Sequence, residues 1–175
     1  MACDLTTGVT VGCKDSAGGL KEVYFALKDS STAITQNATG QVTSITIGDS
    51  WYKYEPRNAT STMTDNPRVN RQNGTAFYEQ GVNLVLTKME QAKRNEIILL
   101  AKANMLVIVK DQNDRYWLLG QDNGIEMADS EAGLGTELGD RNGYTLNFEG
   151  KEPEPAPVVL YSGFSADISA TQLEG

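Results

Sequence analysis

The chain of 175 residues contains no histidine and only two cysteines, Cys3 and Cys13. The absence of histidine removes the commonest general base and the commonest zinc ligand together. Two thiolates without further ligands make a poor metal site, so they are interpreted either as reduced thiols or as a clip that closes the N-terminal arm. Because no nucleophile stands beside a base at a catalytic spacing, we expect no enzyme activity, no cofactor and no metal.

Basic residues are also scarce, since the net charge is −8. That balance argues against a nucleic-acid-binding surface, which needs clustered lysine and arginine. The most apolar stretch, residues 97–109, is interrupted by Lys102 and Asn104 and is too short to span a bilayer. The first residues lack the basic and apolar regions of a signal peptide. We therefore expect a protein that is made in the cytoplasm of its host cell and has no membrane partner.

Alternating apolar residues dominate what is present. Residues 20–27, 42–47 and 143–148 alternate as strands do, and residues 105–120 form a hairpin of MLVIVK and RYWLLG. One helix is predicted over residues 88–102, where Thr87 and Glu90 have the spacing of a capping box. One helix among many strands predicts a mainly β fold, a β-barrel or sandwich with one flanking helix.

The predicted domain organisation is simple. Residues 17–161 form a single β-barrel domain, preceded by a polar arm of residues 1–16 and followed by a tail of residues 162–175. Residues 29–40 and 129–139 are rich in turn-forming residues and are predicted to be loops.

A long polar hairpin is predicted over residues 51–87, with a hairpin tip at residues 66–74. Pro67 lacks an amide hydrogen and should not occupy the middle of a sheet. Arg68 and Arg71 make the hairpin tip basic in an otherwise acidic chain. A projecting polar hairpin contributes little to its own core, so we expect these three residues to contact another subunit.

The second half of the predicted helix is apolar around its whole circumference. Ile97, Ile98 and Leu99 occupy successive positions there, so that apolar side chains point in opposite directions. Such a helix should be covered on every side. Either a neighbouring subunit or one of the terminal segments would provide the cover.

The order of these elements resembles the tail-tube (major tail) proteins of long-tailed bacteriophages, a fold shared with the tube subunit of type VI secretion systems. The resemblance rests on the strand at residues 20–27, the hairpin at 51–87, the helix at 88–102, and the segments MLVIVKDQNDRYWLLG and GYTLNFEG. The opening MACDLTTGVTVGCKDSAGGLKEVYFA is similar to the starts of virion structural proteins from phages of Bacteroidetes.

The resemblance implies a structural virion protein whose hexameric rings stack into a tube for DNA ejection, in a virion assembled in the bacterial cytoplasm. Its expected partners are its own copies, other tail or head–tail proteins, and genomic DNA that passes without specific binding. An acidic chain suits such a conduit, because a negative wall repels phosphates.

Two alternatives remain. Ring proteins of the head–tail junction share the tail-tube fold. A small ligand-binding β-domain, of the carbohydrate-binding kind, would instead use aromatic residues as an exposed platform. The candidates for that platform are Trp51, Tyr52, Tyr54 and Trp117.

Overall fold

The computed structural model describes residues 7–57 and 59–160, so the predicted tail of residues 162–175 and Cys3 lie outside the described part. Cys13 has an exposed, free thiol. The helix is α1 (Gln91–Leu100). The strands are β1 (Leu20–Leu27), β2 (Ala33–Gln36), β3 (Val42–Thr46), β4 (Tyr52–Tyr54), β5 (Thr62–Asn70), β6 (Thr75–Thr87), β7 (Met105–Asp111), β8 (Tyr116–Leu119), β9 (Glu126–Gly133), β10 (Gly143–Glu152) and β11 (Val158–Val159).

Two sheets contain all of these strands. The first has the order β2-β3-β11-β8-β7-β1-β4, and the second has the order β5-β6-β10-β9. The mainly β prediction is therefore confirmed, and the two layers fit a sandwich-like class. A closed barrel does not form, because neither sheet closes on itself over the described residues.

The main core lies between the two sheets. The first sheet contributes alternate residues such as Val23, Phe25 and Val107, while the second contributes Leu84 and Phe148. The rings of Phe25 and Phe148 have their centroids 4.8 Å apart. Burial of such large apolar side chains is the principal term that holds the layers together.

A second core lies on the other face of the first sheet, where Tyr24 and Ile108 pack against Val42 and Trp51. The path of the chain from β3 to β4 explains how this second core is enclosed. Strand β3 ends at Thr46 and β4 begins six residues later, although five strand spacings, about 24 Å, separate them in the sheet. Six residues extend at most about 21 Å. The sheet must therefore curl, and the curl encloses this core.

The helix is shorter than predicted, and the expected capping box is wrong. Thr87 pairs with Gly143 as the last residue of β6, and Lys88 then adopts a left-handed conformation with a φ of 60°. Glu90 occupies the N-cap position, and its side chain makes no capping hydrogen bond. Strand pairing continues through Thr87 and keeps it extended, which prevents an earlier start of the helix.

The long hairpin is also shorter than predicted. Strands β5 and β6 pair from Thr62 opposite Asn83 to Asn70 opposite Thr75. The segment around Trp51 does not extend this hairpin, because β4 pairs with β1 in the other sheet. Trp51, immediately before β4, has its side chain fully buried in the second core, against the first sheet.

Two predicted loops contain strands. Residues 33–36 form β2 at the edge of the first sheet, and residues 129–133 extend β9 at the edge of the second. Neither segment has a buried residue, so neither shows the apolar alternation of an inner strand. Pairing with one neighbour is sufficient to hold an edge strand.

One buried carboxylate fixes the passage from the first sheet to the second. Glu152 at the end of β10 accepts hydrogen bonds from the backbone amides of Asp122, Asn123 and Gly124, at 2.8, 2.9 and 3.1 Å. The side-chain oxygen of the buried Gln80 accepts a further hydrogen bond from the backbone amide of Gly120 at 3.0 Å. Since these donors lie in a turn between sheets, the two side chains replace the missing ladder bonds.

Candidate subunit interface

The hairpin tip projects beyond the rest of the second sheet. Strand β10 accompanies β6 only as far as Glu152 opposite Tyr78, so residues 75–77 of β6 pair with β5 alone. Every residue from 66 to 76 is exposed. Pro67 lies within β5, which is an edge strand, and this agrees with its exclusion from the middle of a sheet.

The two arginines of the hairpin tip differ in their contacts. The Nε of Arg68 donates to Glu79 of the same hairpin at 2.7 Å, across the strand pair. This bond uses one of the five N–H donors of the guanidinium group. Arg71 lies in the turn and makes no salt bridge with any described residue. Both side chains are therefore exposed and keep guanidinium donors that make no salt bridge with the described residues.

The apolar half of α1 is covered on one side only. Leu100 is buried and Ile97 is half-buried, and both pack against the main core. Ile98 and Leu99 are 39% and 61% exposed to solvent. The expected complete burial is therefore not reached within the described part of the chain.

The six predicted interface residues do not form one patch. The hairpin tip precedes the first residue of β6, whereas α1 follows its last residue. Thirteen residues of strand span about 40 Å. The structure thus places Pro67, Arg68 and Arg71 on one surface and Ile97, Ile98 and Leu99 on another.

The outward face of the second sheet was not identified from the sequence. Alternate residues of β6 and β10 point into the core, so the remaining residues form a polar face, on which Asn83 donates to Asn147. Acidic side chains outnumber the basic Arg68 and Lys151 there. They are Glu79, Glu126, Asp129, Glu131 and Glu149. The alternation was readable in sequence, but the strand partners were not.

A shallow groove of about 680 Å³ runs across this outward face. Residues from all four strands line it, including Thr64, Glu79, Glu126 and Lys151. Its floor contains Gly81, where an added Cβ would lie 2.9 Å from the Thr64 hydroxyl oxygen. The outward face is therefore polar and carries a groove that crosses all four strands.

Both edges of the second sheet lack a partner strand within the described residues. Strand β9 lies level with residues 81–87 of β6, whereas β5 lies level with residues 75–83. The centres of the two edges are thus offset by five residues, from Leu84 to Glu79, or about 17 Å along the strands. An exposed edge readily pairs with a strand of another chain.

An end loop, residues 134–142, joins β9 to β10 and carries two exposed leucines, Leu134 and Leu138. The carboxylate of Asp140 accepts hydrogen bonds from the amides of Thr136 and Glu137 at 2.7 and 2.9 Å. These bonds fix the loop internally, so its apolar side chains are not needed to hold it.

A half-buried charge network closes one end of the first sheet. Burial, the largest single effect on Glu22, raises its pKa. A hydrogen bond from Tyr24 and the ammonium groups of Lys53 and Lys110 together outweigh burial and hold the pKa of Glu22 below its ordinary value. Every member has its partner inside the fold, so this network stabilises the strand ends and offers no ligand site.

The aromatic platform of the ligand-binding alternative is not assembled. Trp51 is fully buried, and Tyr54 packs edge-on against Phe25 with centroids 5.1 Å apart. The indole of Trp117 donates to Asp111 at 3.2 Å. Tyr52 is the most exposed of the four rings. The four rings therefore do not share one exposed surface.

No protein-family model, curated protein or solved structure matches the chain. The resemblance to tail-tube proteins thus stays a prediction, and the surfaces above rest on geometry alone. Among the described residues no group of acidic or cysteine side chains is placed to hold a metal ion. The described part likewise has no helix of sufficient length and apolarity to cross a membrane.

Proposed function

We propose that the chain is the subunit of a viral tail tube, in which hexameric rings stack into a conduit for DNA. The observation that carries this proposal is the second sheet, with two free edges and a polar, mainly acidic outward face that carries a groove. The other face of that sheet is covered by the first sheet. In a ring the second sheets would line the lumen, and the first sheets and helices would lie outside.

The geometry of the edges supports a closed ring. All neighbouring strands of the second sheet are antiparallel, and their number is even. Strand β9 of one copy therefore runs antiparallel to β5 of the next copy when a rotation axis relates them. With the spacing to the next copy included, each subunit contributes four strand spacings, about 19 Å. When the centre of β9 lies level with the centre of the next β5, the offset of about 17 Å corresponds to a strand tilt of about 40°. Barrels close at tilts of about 35–45°.

The charge of the outward face supports a conduit. Acidic residues there outnumber Arg68 and Lys151, so a lumen built from this face repels phosphate groups. Arg141 donates to the hydroxyl of Thr145 on the same face and is a local exception. The proposed partners are copies of the chain and neighbouring tail proteins, with DNA as the transported molecule.

Negative-stain microscopy and analytical ultracentrifugation of the purified chain test the proposal. We expect rings with a central hole, and tubes at high protein concentration. A monomer at all concentrations, without rings or filaments, would contradict it. Rings that never stack would instead support the head–tail junction alternative.

A further inference from the structure

The end loop exposes two leucine side chains close together in the sequence. Leu134 is 69% exposed and Leu138 is wholly exposed, although the loop spans only nine residues. Neither leucine belongs to a described core. The two leucines offer an apolar contact that a neighbouring molecule can cover, next to the charged Glu137.

The end loop and the hairpin tip lie at opposite ends of the same sheet. The end loop joins Gly133 to Gly143, and Gly143 pairs with Thr87 at the end of β6. The hairpin tip precedes Thr75 at the start of β6. The thirteen residues between them span about 40 Å, so the hairpin tip of one copy cannot reach its own end loop. Any contact between them is intermolecular.

The two ends are complementary in charge and in polarity. The hairpin tip contains Arg68 and Arg71 and no acidic residue, and its Val69 is 70% exposed. The end loop contains Glu137 and Asp140, and its one basic residue, Arg141, donates to the Thr145 hydroxyl on β10. Asp140 makes the hydrogen bonds that shape the loop, which leaves the exposed Glu137 for an external arginine. A guanidinium–carboxylate pair beside an apolar contact gives both affinity and orientation.

We propose that the end loop is the surface on which the hairpin tip of another copy docks, with Arg71 paired to Glu137 and Val69 covered by Leu134 and Leu138. This inference rests on the proposed function, because it names the contact that stacks one ring on the next. A contact between two different surfaces is heterologous and repeats without closing along an axis. It therefore suits tube growth.

Disulfide trapping between two preparations tests the contact directly. In a background with Cys3→Ser and Cys13→Ser, one preparation carries Gln72→Cys and the other carries Gly139→Cys. Gly139 suits this purpose, since no atom lies within 4 Å of an added Cβ and its φ lies outside the left-handed range. After mixing and mild oxidation, we expect linked pairs to join the two preparations well above the half that random collision gives. Pairs at the random proportion would overturn the inference.

Charge exchange in the same assay identifies the proposed pair. Arg71→Glu in the first preparation should reduce linkage several-fold, and Glu137→Arg in the second should restore it. Arg57→Glu, an exposed arginine outside the hairpin, is the matched control and should leave linkage unchanged. Loss without restoration would overturn the Arg71–Glu137 pairing.

Ring formation is measured on the same samples, so the two proposals fail separately. Rings without specific linkage would contradict the docking inference and would still support the proposed ring. Specific linkage in linear assemblies that never form rings would support the docking surface and contradict the tube function. Absence of both would overturn both.

Discussion

Single buried polar side chains hold turns in place in this protein, and Glu152 is an example. Its carboxylate receives three backbone amides in the turn that passes between the sheets. We expect Glu152→Ala to lower the free energy of unfolding by about 3 kcal/mol, because three donors lose their acceptor. Urea denaturation measures this change. Glu149→Ala, an exposed position on the same strand, should stay within about 0.5 kcal/mol of the parent.

Glu22 should make stability depend on acid pH. Its folded pKa is lowered, so the ionised carboxylate stabilises the fold above the ordinary value of 4.5, and that contribution is lost as the pH falls through the lowered pKa. Glu22→Gln should therefore cost about 1–2 kcal/mol at neutral pH and less in acid. Melting temperatures over a pH series check this. An equal loss at every pH would contradict the assignment.

At the scale of elements, α1 has one face that packs in its own core and one face that stays exposed. We expect Leu100→Ala to destabilise the monomer by about 2–4 kcal/mol, since Leu100 packs in the main core. Leu99→Ala, at an exposed neighbouring position, should change monomer stability by about 0.5 kcal/mol or less and weaken ring formation. Chemical denaturation and sedimentation velocity separate the two effects. Unchanged assembly of the Leu99 variant would show that solvent covers this face.

The hairpin tip should matter for stacking and little for folding. Exchange of Arg68 and Arg71 for glutamate should leave the monomer folded, with a loss of at most about 1 kcal/mol from the exposed pair with Glu79. Tube formation by electron microscopy should fall sharply while rings persist. The same exchange at Arg57 and Arg115 changes the net charge equally and serves as the control. Tubes as abundant as those of the parent, or an unfolded monomer, would contradict this role.

At the scale of the whole molecule, the acidic outward face should keep DNA from adhering. Reversal of three acidic residues on that face should make assembled rings bind DNA, with an affinity that falls steeply as salt rises. The three are Glu126, Glu131 and Glu149. A control set with equal charge change lies off the face and should bind far less. It consists of Asp15, Asp122 and Glu154. Fluorescence anisotropy with duplex DNA distinguishes the two sets, and equal binding would remove the lumen assignment.

Local signals in the sequence determined the inner strands. Leu20–Leu27 and the hairpin of β7 and β8 were predicted closely. The apolar residues of a buried strand form a pattern that can be read within the segment itself. The projecting hairpin tip was predicted from a different local signal, its turn-forming and mostly polar residues, which mark an exposed bend. Exposure of residues 66–76 agrees with it.

Only the tertiary structure decided the rest. The start of α1, the edge strands β2 and β9, and the sheet to which Trp51 belongs all depend on pairing between residues distant in sequence. The same is true of the candidate site, because the outward face and the two free edges follow from strand order and register. Alternation in a sequence indicates that the two faces of a strand differ in polarity. It does not state which strands lie side by side, and the contacts that choose them form only when the chain has folded.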